Sequence, residues 1–291
     1  MDILSGKLDE RGKFIIPKDQ VHINIDVGLA GEAPHSAIWF SGLKDRFVIG
    51  IEPLPYHWRM LENFETSNSK RPRPTNFKIL QLEEGVVKLD QTVVCEIGDR
   101  FCGIQCAVDE VKELSWESFY MMDPTDGASG SSSLLKPSEK HPHFVESVIK
   151  TPVVSLEMIL DHVDWKRFEL IEHIKTDCEG KDYDVVRSIG KYLDRVAFIT
   201  SEVSKNNVGH WKGQNDGWDL YHLLTNNGFV ILEIIGADVT FVNQKLLESL
   251  DPKISNTLRC GLMVPPDAVE YRDGVMLPSG GSVWLDRRKR P

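Results

Sequence analysis

Three apolar runs in this chain end in acids. Asp26 closes "HINIDV", Glu52 closes "RFVIGIEP", and Asp177 with Glu179 closes "FELIEHIKTDCEG". In a doubly wound sheet, ligands bind outside the C-terminal ends of the strands, so acids there are candidates for chemistry. A carboxylate accepts two hydrogen bonds from a vicinal diol, and Glu52 follows Gly28 by 24 residues, near the distance at which an acid grips ribose hydroxyls. That reading competes with a plain surface acid. The first turn narrows the ligand. Its order is Gly28, Leu29, Ala30, Gly31, Glu32, Ala33, Pro34, which lacks two glycines of the G-x-G-x-x-G pattern that brings a helix N-terminus to a pyrophosphate. Glu32 would also repel a diphosphate. A ligand without phosphates and with a positive centre suits these acids better, and S-adenosylmethionine carries both a sulfonium and an ammonium.

The elements that must position these residues alternate. "HINIDV" reads as a strand and "HSAIWFSGL" as a short helix; "RFVIGIEP" is a strand stopped by Pro53 and Pro55, and "YHWRMLENFE" a helix. This β-α-β-α order predicts a parallel sheet covered by helices. Residues 67–76 read as a loop, and Phe77 to Val108 as hairpin pieces ending in a third sheet strand, "CGIQCAV". Met121 to His143 is rich in Gly, Ser and Pro; composition alone reads as a flexible linker, the alternative being a loop over a site. "PVVSLEMILDHV" is a short strand into a helix, "KDYDVVRSIGKYL" a helix, "RVAFITSEV" a buried strand, "GWDLYHLLTNNGF" a helix, and "VILEIIGADVTFVN" a closing antiparallel pair. The sum is an α/β domain over residues 21–243 with a mostly parallel sheet of about seven strands and helices on both faces. Residues 1–20 and 244–291 form terminal extensions.

Bulk properties exclude several classes. The formal charge of −10 argues against general nucleic-acid binding. The chain shows no apolar window long enough to span a membrane and no secretory leader. Five scattered cysteines form no disulfide framework, and the odd count fits reduced thiols in the cytoplasm. Cys102 and Cys106 with His141 and His143 lack the paired spacing of a zinc site.

Two separated blocks resemble the FkbM-type methyltransferases, adenosylmethionine-dependent O-methyltransferases. The first is "INIDVGLAGEAPHSAIWF…FVIGIEPLP"; the second is "SGSSSLLKP…PVVSLEMIL…IEHIKTDCEGKDYDVVRSIGKYL…ITSEV". The match in order and spacing runs from about His22 to Asn243, with Gly31 one position earlier than the second glycine of the usual pattern. The resemblance implies a Rossmann-like class I methyltransferase fold. It also implies that Asp26 and Gly28, with Leu29 and Ala30 of the turn, hold the methionine end of the cofactor. Glu52, followed by Pro53, would hold the ribose, and Cys106, Ala107 and Val108 would lie beside the adenine or else be ordinary buried strand residues.

Methyl transfer to a hydroxyl is an in-line displacement that needs alignment and a base. Asp177 and Glu179 could divide these tasks, or hold a divalent cation that acidifies the hydroxyl. Alternatively, Asp177 caps the helix starting near Lys181 and Glu179 binds backbone amides. His210 could act as a base, with Trp211 stacking on a sugar, or be an exposed bystander. Ser131, Ser132 and Ser133 offer acceptor-binding hydroxyls if their loop folds over the pocket; His162 and His173 read as structural. The basic tail "DRRKRP" reads as a solvated terminus or a contact for a membrane or phosphate. The expected function is O-methylation of a sugar or glycan hydroxyl, with a small-molecule natural product as rival acceptor. A nicotinamide-dependent oxidoreductase and a non-catalytic binding protein of the same fold are the alternatives.

Overall fold

The runs "HINIDV" and "RFVIGI" bury nearly every side chain, as strands covered on both faces must. The computed structural model describes residues 2–31, 33, 35, 36, 39, 45–63, 79–82, 85–88, 100–123, 128–141, 143–203, 209–215, 217–251, 254, 269–272 and 275–278. Its strands are β1 (His22–Val27), β2 (Arg46–Ile51), β3 (Ile79–Leu82), β4 (Gly85–Lys88), β5 (Phe101–Ile104), β6 (Ala107–Val108) and β7 (Ser115–Met122). They continue as β8 (Val145–Val154), β9 (Ile171–Thr176), β10 (Val196–Glu202), β11 (Phe229–Ile235), β12 (Asp238–Asn243), β13 (Val269–Arg272) and β14 (Val275–Pro278). The helices are α1 (Pro55–Asn63), α2 (Leu156–Leu160), α3 (Asp182–Arg187), α4 (Gly217–Asn226) and α5 (Gln244–Ser249).

Seven strands form one large mixed sheet in the order β5-β2-β1-β9-β10-β12-β11. The five from β5 to β10 are parallel neighbours, whereas β12 runs antiparallel to both β10 and β11. The reversal follows a tight turn at Gly236, whose φ of +63° favours glycine. The expected closing pair is therefore β11–β12. Ile23, Ile25 and Val27 of β1 point into the main core, which also receives Ile49 and Ile51 of β2, Ile174 of β9 and Ile199 of β10.

Two expectations need correcting. "CGIQCAV" is not one strand of the large sheet. The chain turns after Ile104, with the Cys106 amide bonded back to the Ile104 carbonyl at 3.2 Å, and Ala107–Val108 pair with β8 in a second sheet of order β6-β8-β7. Met121 to His143 is not a linker either. Strand β7 runs through Met122, residues Ala128–Ser131 form a 3₁₀ turn, and Ser129, Ser132 and Ser133 are buried. Small polar residues there satisfy backbone groups in tight turns: the Ser132 hydroxyl donates to the Ser129 carbonyl at 2.7 Å and accepts the Met122 amide at 3.0 Å. The "HSAIWFSGL" helix is described only at His35, Ser36 and Trp39, and the 67–76 loop and the basic tail lie outside the described residues.

The segments on either side of residues 21–243 also pack onto the domain. Leu4 and Phe14 are buried in the main cluster, and the Arg167 guanidinium donates to the carbonyls of Ile16, Pro17 and Gln20. Helix α5 starts at Asn243, whose side chain accepts the Leu246 amide at 3.0 Å, and buries Leu247.

At the opposite end of the sheet from the acids, Arg46 of β2 and Glu172 of β9 form a buried ion pair with Nη2–Oε1 at 2.5 Å, and His22 Nδ1 of β1 lies 3.3 Å from the same carboxylate. Both partners are about 95% buried, so removing one strands the other's charge. Glu172→Ala should lower stability by about 3–5 kcal/mol, read as a shift in the urea midpoint at unchanged slope.

Candidate active site

The ends of β1 and β9 meet almost without clearance. The Asp177 amide bonds the Val27 carbonyl at 3.0 Å, and a Cβ on Gly28 would fall 2.0 Å from the Asp177 carbonyl oxygen. Gly28 also has φ of +86°, so this position requires glycine on both counts. Its amide bonds the Ile51 carbonyl at 2.9 Å, tying β2 to the same point. The chain then turns through Ala30 at φ +50°, whose amide donates to Glu52 Oε2 at 3.0 Å, while the Leu54 amide donates to Oε1 at 2.9 Å. Two backbone donors thus fix a buried carboxylate at the end of β2.

Around this point lies a cavity of about 470 Å³, within the range of small-ligand sites. Its floor is the Gly28 turn with Glu52 and Pro53; one wall is Cys106, Ala107 and Val108; its roof is the Ser129–Ser132 turn with Phe119 and Leu134. Asp177, Cys178 and Glu179 close the far end.

That end is strongly acidic. Oxygens of Asp177, Glu179 and Glu202 converge within 4.8 Å, a spacing that a divalent cation could bridge. Lys175, 1% exposed, reaches up from β9 with Nζ 3.3 Å from Asp177 Oδ2 and 3.1 Å from Asp238 Oδ1. Burial works against its ammonium, but Asp177, Asp238 and Asp182 outweigh burial and raise the pKa. Glu179 sits at φ +49° in a turn locked by its own carbonyl, which accepts the Ser133 hydroxyl at 2.8 Å. Burial first, then repulsion from Asp177 and Asp182, raises its carboxyl to about 8 against hydrogen bonds from Trp211 and Ser131. Burial and repulsion from Asp177, Glu179 and Asp182 raise Glu202 to about 9. Asp182, rather than Asp177, secures the start of α3, accepting the Thr176 hydroxyl at 2.8 Å and the Cys178 amide at 3.3 Å.

The structure brings Gly28, Ala30, Glu52, Pro53, Asp177, Glu179 and the Cys106–Val108 wall to one cavity. Three residues singled out in the sequence stand apart from it. Asp26 does not line it; its carboxylate accepts the Ser36 amide at 3.0 Å and hydroxyl at 2.6 Å. Burial pushes that carboxyl up, with His35 and Ser36 opposing. Leu29 is fully buried packing, and His210 is exposed with its ring 5.8 Å from that of His141. Trp211 is buried under the roof and bonds Glu179, so it is not a free stacking face. His162 and His173 hydrogen-bond the Gly12 carbonyl and the Thr200 hydroxyl, respectively. Cys102 and Cys106 are buried, and no group containing them has metal-site spacing among the described residues.

The model of the methyltransferase FkbM domain matches residues 26–231, well over half the chain. The chain belongs to the FkbM methyltransferase family. No curated protein and no solved structure matches it. The matched span of this methyltransferase begins at Asp26 and includes the cavity floor, wall, roof and acidic end. Among the described residues no helix is long and apolar enough to cross a membrane.

Sequence reasoning missed His57, Phe119, Ser129 and Lys181 in this methyltransferase's cavity. Only His57 had a local signal, standing two residues into the helix that follows the acid in "EPLPYH".

The raised carboxyls fix a pH dependence. The folded state holds protons on Glu179 and Glu202 that the unfolded chain releases near 4.5. Their stabilising contribution is complete below that value and is lost as pH rises through about 8 and about 9. Thermal stability of the ligand-free protein should fall between about pH 6 and pH 9, and Glu202→Gln should flatten that slope. An unchanged slope in the variant would remove Glu202 from this account.

Proposed function

We propose that this methyltransferase uses S-adenosylmethionine to methylate a hydroxyl, with a sugar or glycan as acceptor. One observation carries the reading: a single cavity joins a diol-accepting carboxylate, Glu52, to a second carboxylate set beside a buried ammonium, Asp177 with Lys175. The order of the large sheet, with its single reversed strand, supports a class I arrangement.

The residues present fit the donor. Glu52 keeps lone pairs for a vicinal diol after accepting two backbone amides. Lys181, the cavity's lysine, is held by Asp109 at 2.8 Å and Asp184 at 2.5 Å, so it does not serve as a pyrophosphate ligand. The acidic end suits a cationic centre. Bound adenosylmethionine would supply an electrophilic methyl group on sulfur. Asp177 takes the proton of the acceptor hydroxyl, and Lys175 holds that carboxylate in one orientation. Glu179, protonated at neutral pH, donates a hydrogen bond to a neighbouring acceptor oxygen.

The sugar acceptor draws on the family resemblance and on the hydroxyl- and carboxylate-lined mouth. The buried free thiols of Cys102 and Cys106 are consistent with a cytoplasmic setting. Adenosylhomocysteine should raise the melting temperature and NADH should not; the reverse would favour an oxidoreductase, and no shift with either a binding protein. In methyl-transfer assays over a panel of sugars and glycans, Asp177→Asn should lower turnover by about 10²-fold at largely unchanged donor affinity. Loss of turnover on chelation would transfer the proton-removing role from Asp177 to a cation held by Asp177, Glu179 and Glu202.

A further inference from the structure

We infer that His57 positions the ribose-binding carboxylate, bridging Glu52 to the Ser129 hydroxyl in the roof of the cavity. This inference rests on the adenosine reading of the site. His57 is the third residue of α1, is 2% exposed and lines the cavity. Its Nδ1 stands 3.1 Å from Glu52 Oε1, and its Nε2 stands 3.1 Å from Ser129 Oγ. One nitrogen faces the carboxylate and the other the serine hydroxyl, which can donate or accept.

A buried imidazole costs desolvation that a leucine or phenylalanine of similar volume would not. Leu54 and Phe119 beside it show that this region packs apolar side chains readily. The cost is offset only when both nitrogens are used. Here Nδ1 is buried and close to Oε1 yet off the line of a full hydrogen bond. Glu52 Oε1 is the acceptor within its reach, and a small turn of the carboxylate closes that contact.

Glu52 needs such a partner. Its two backbone donors approach one oxygen each, and a diol must meet both oxygens in a single plane. The third contact, from His57, restrains rotation of the carboxylate. The other end of the imidazole reaches the roof. Ser129 is fully buried and its carbonyl accepts the Ser132 hydroxyl, which in turn accepts the Met122 amide of β7. The bridge thus references the carboxylate plane to the second sheet as well as to the first.

Titration calorimetry with adenosylhomocysteine and its 2′-deoxy analogue tests this. His57→Gln carries its amide near the Nε2 position and keeps the serine contact while losing Glu52. It should weaken adenosylhomocysteine binding about tenfold, as expected for a hydrogen bond to a charged group. It should also narrow the affinity ratio between the two ligands, which a merely structural role would leave unchanged. Ser129→Ala should weaken binding in the wild-type background and add nothing in His57→Gln, because the bridge is already open. If His57→Gln does not fold, His57→Asn, which retains a donor near Nδ1, should keep the ligand ratio while losing the coupling to Ser129. A wild-type ratio in His57→Gln, or additive effects with Ser129→Ala, overturns the inference. No binding of adenosylhomocysteine to the wild-type protein removes the adenosine reading along with it.

Discussion

The site depends on one contact, the approach of Gly28 to the Asp177 carbonyl. Neighbouring parallel strands lie roughly 4.8 Å apart, leaving no room for a side chain aimed between their ends. Because Gly28 lacks a Cβ, the chain can leave β1 and turn at once over β2, where the Ala30 amide meets Glu52. The same contact fixes where β9 stops and so where Asp177 and Glu179 emerge. A side chain at Gly28 would part the strand ends and separate the Glu52 carboxylate from the acidic end of the cavity. Backbone packing, rather than any long-range electrostatic force, therefore sets the distance between the two halves of the site.

That geometry concentrates negative charge in a partly dry region, and the protein answers it unevenly. Lys175 neutralises part of the field, lying against Asp177 and Asp238. Thr176, Ser201 and Asp182 absorb another part through hydrogen bonds between β9, β10 and the start of α3. Glu179 and Glu202 form no ion pair among the described residues, and burial with acid repulsion keeps their protons on. A fully compensated cluster would be more stable without ligand but would offer less to a cationic one. At the far end of the same strands the buried Arg46–Glu172 pair, with Asp45 and His22 beside it, sets each charge against an opposite one, in contrast to the acids crowded together at the cavity end.

Much of this was legible from residue order. Apolar runs ending in acids located β1, β2, β9 and the cavity end, and the closing antiparallel pair followed from two runs around a glycine turn. What escaped has identifiable causes. "CGIQCAV" was read as continuous because both halves are apolar, yet the exposed Gln105 marks the corner where the chain changes sheets. Strand β7 was missed, and β8 was read only at its apolar end "PVV", because alternate outward residues such as Glu117, Glu146 and Lys150 break any apolar run. In the serine-rich segment, the same composition serves a loose linker or a tightly bonded turn; only partners such as the Glu179 carbonyl decide between them.

The two sheets divide the cavity between them. The floor belongs to the large sheet and shares its core, so substitutions there act on stability and ligand geometry together. The roof rests on smaller clusters, one joining Leu54, Ala107, Phe119 and Val153, another joining Met122 to Trp211. Val108 and Val154, on strands β6 and β8, lie in the main core, so packing changes in the first of these clusters are felt across both sheets. Trp211 adds a second link, since the side chain that packs on Met122 also bonds Glu179. The roof is therefore tied to the floor at two places, and its shape varies only along directions that keep both.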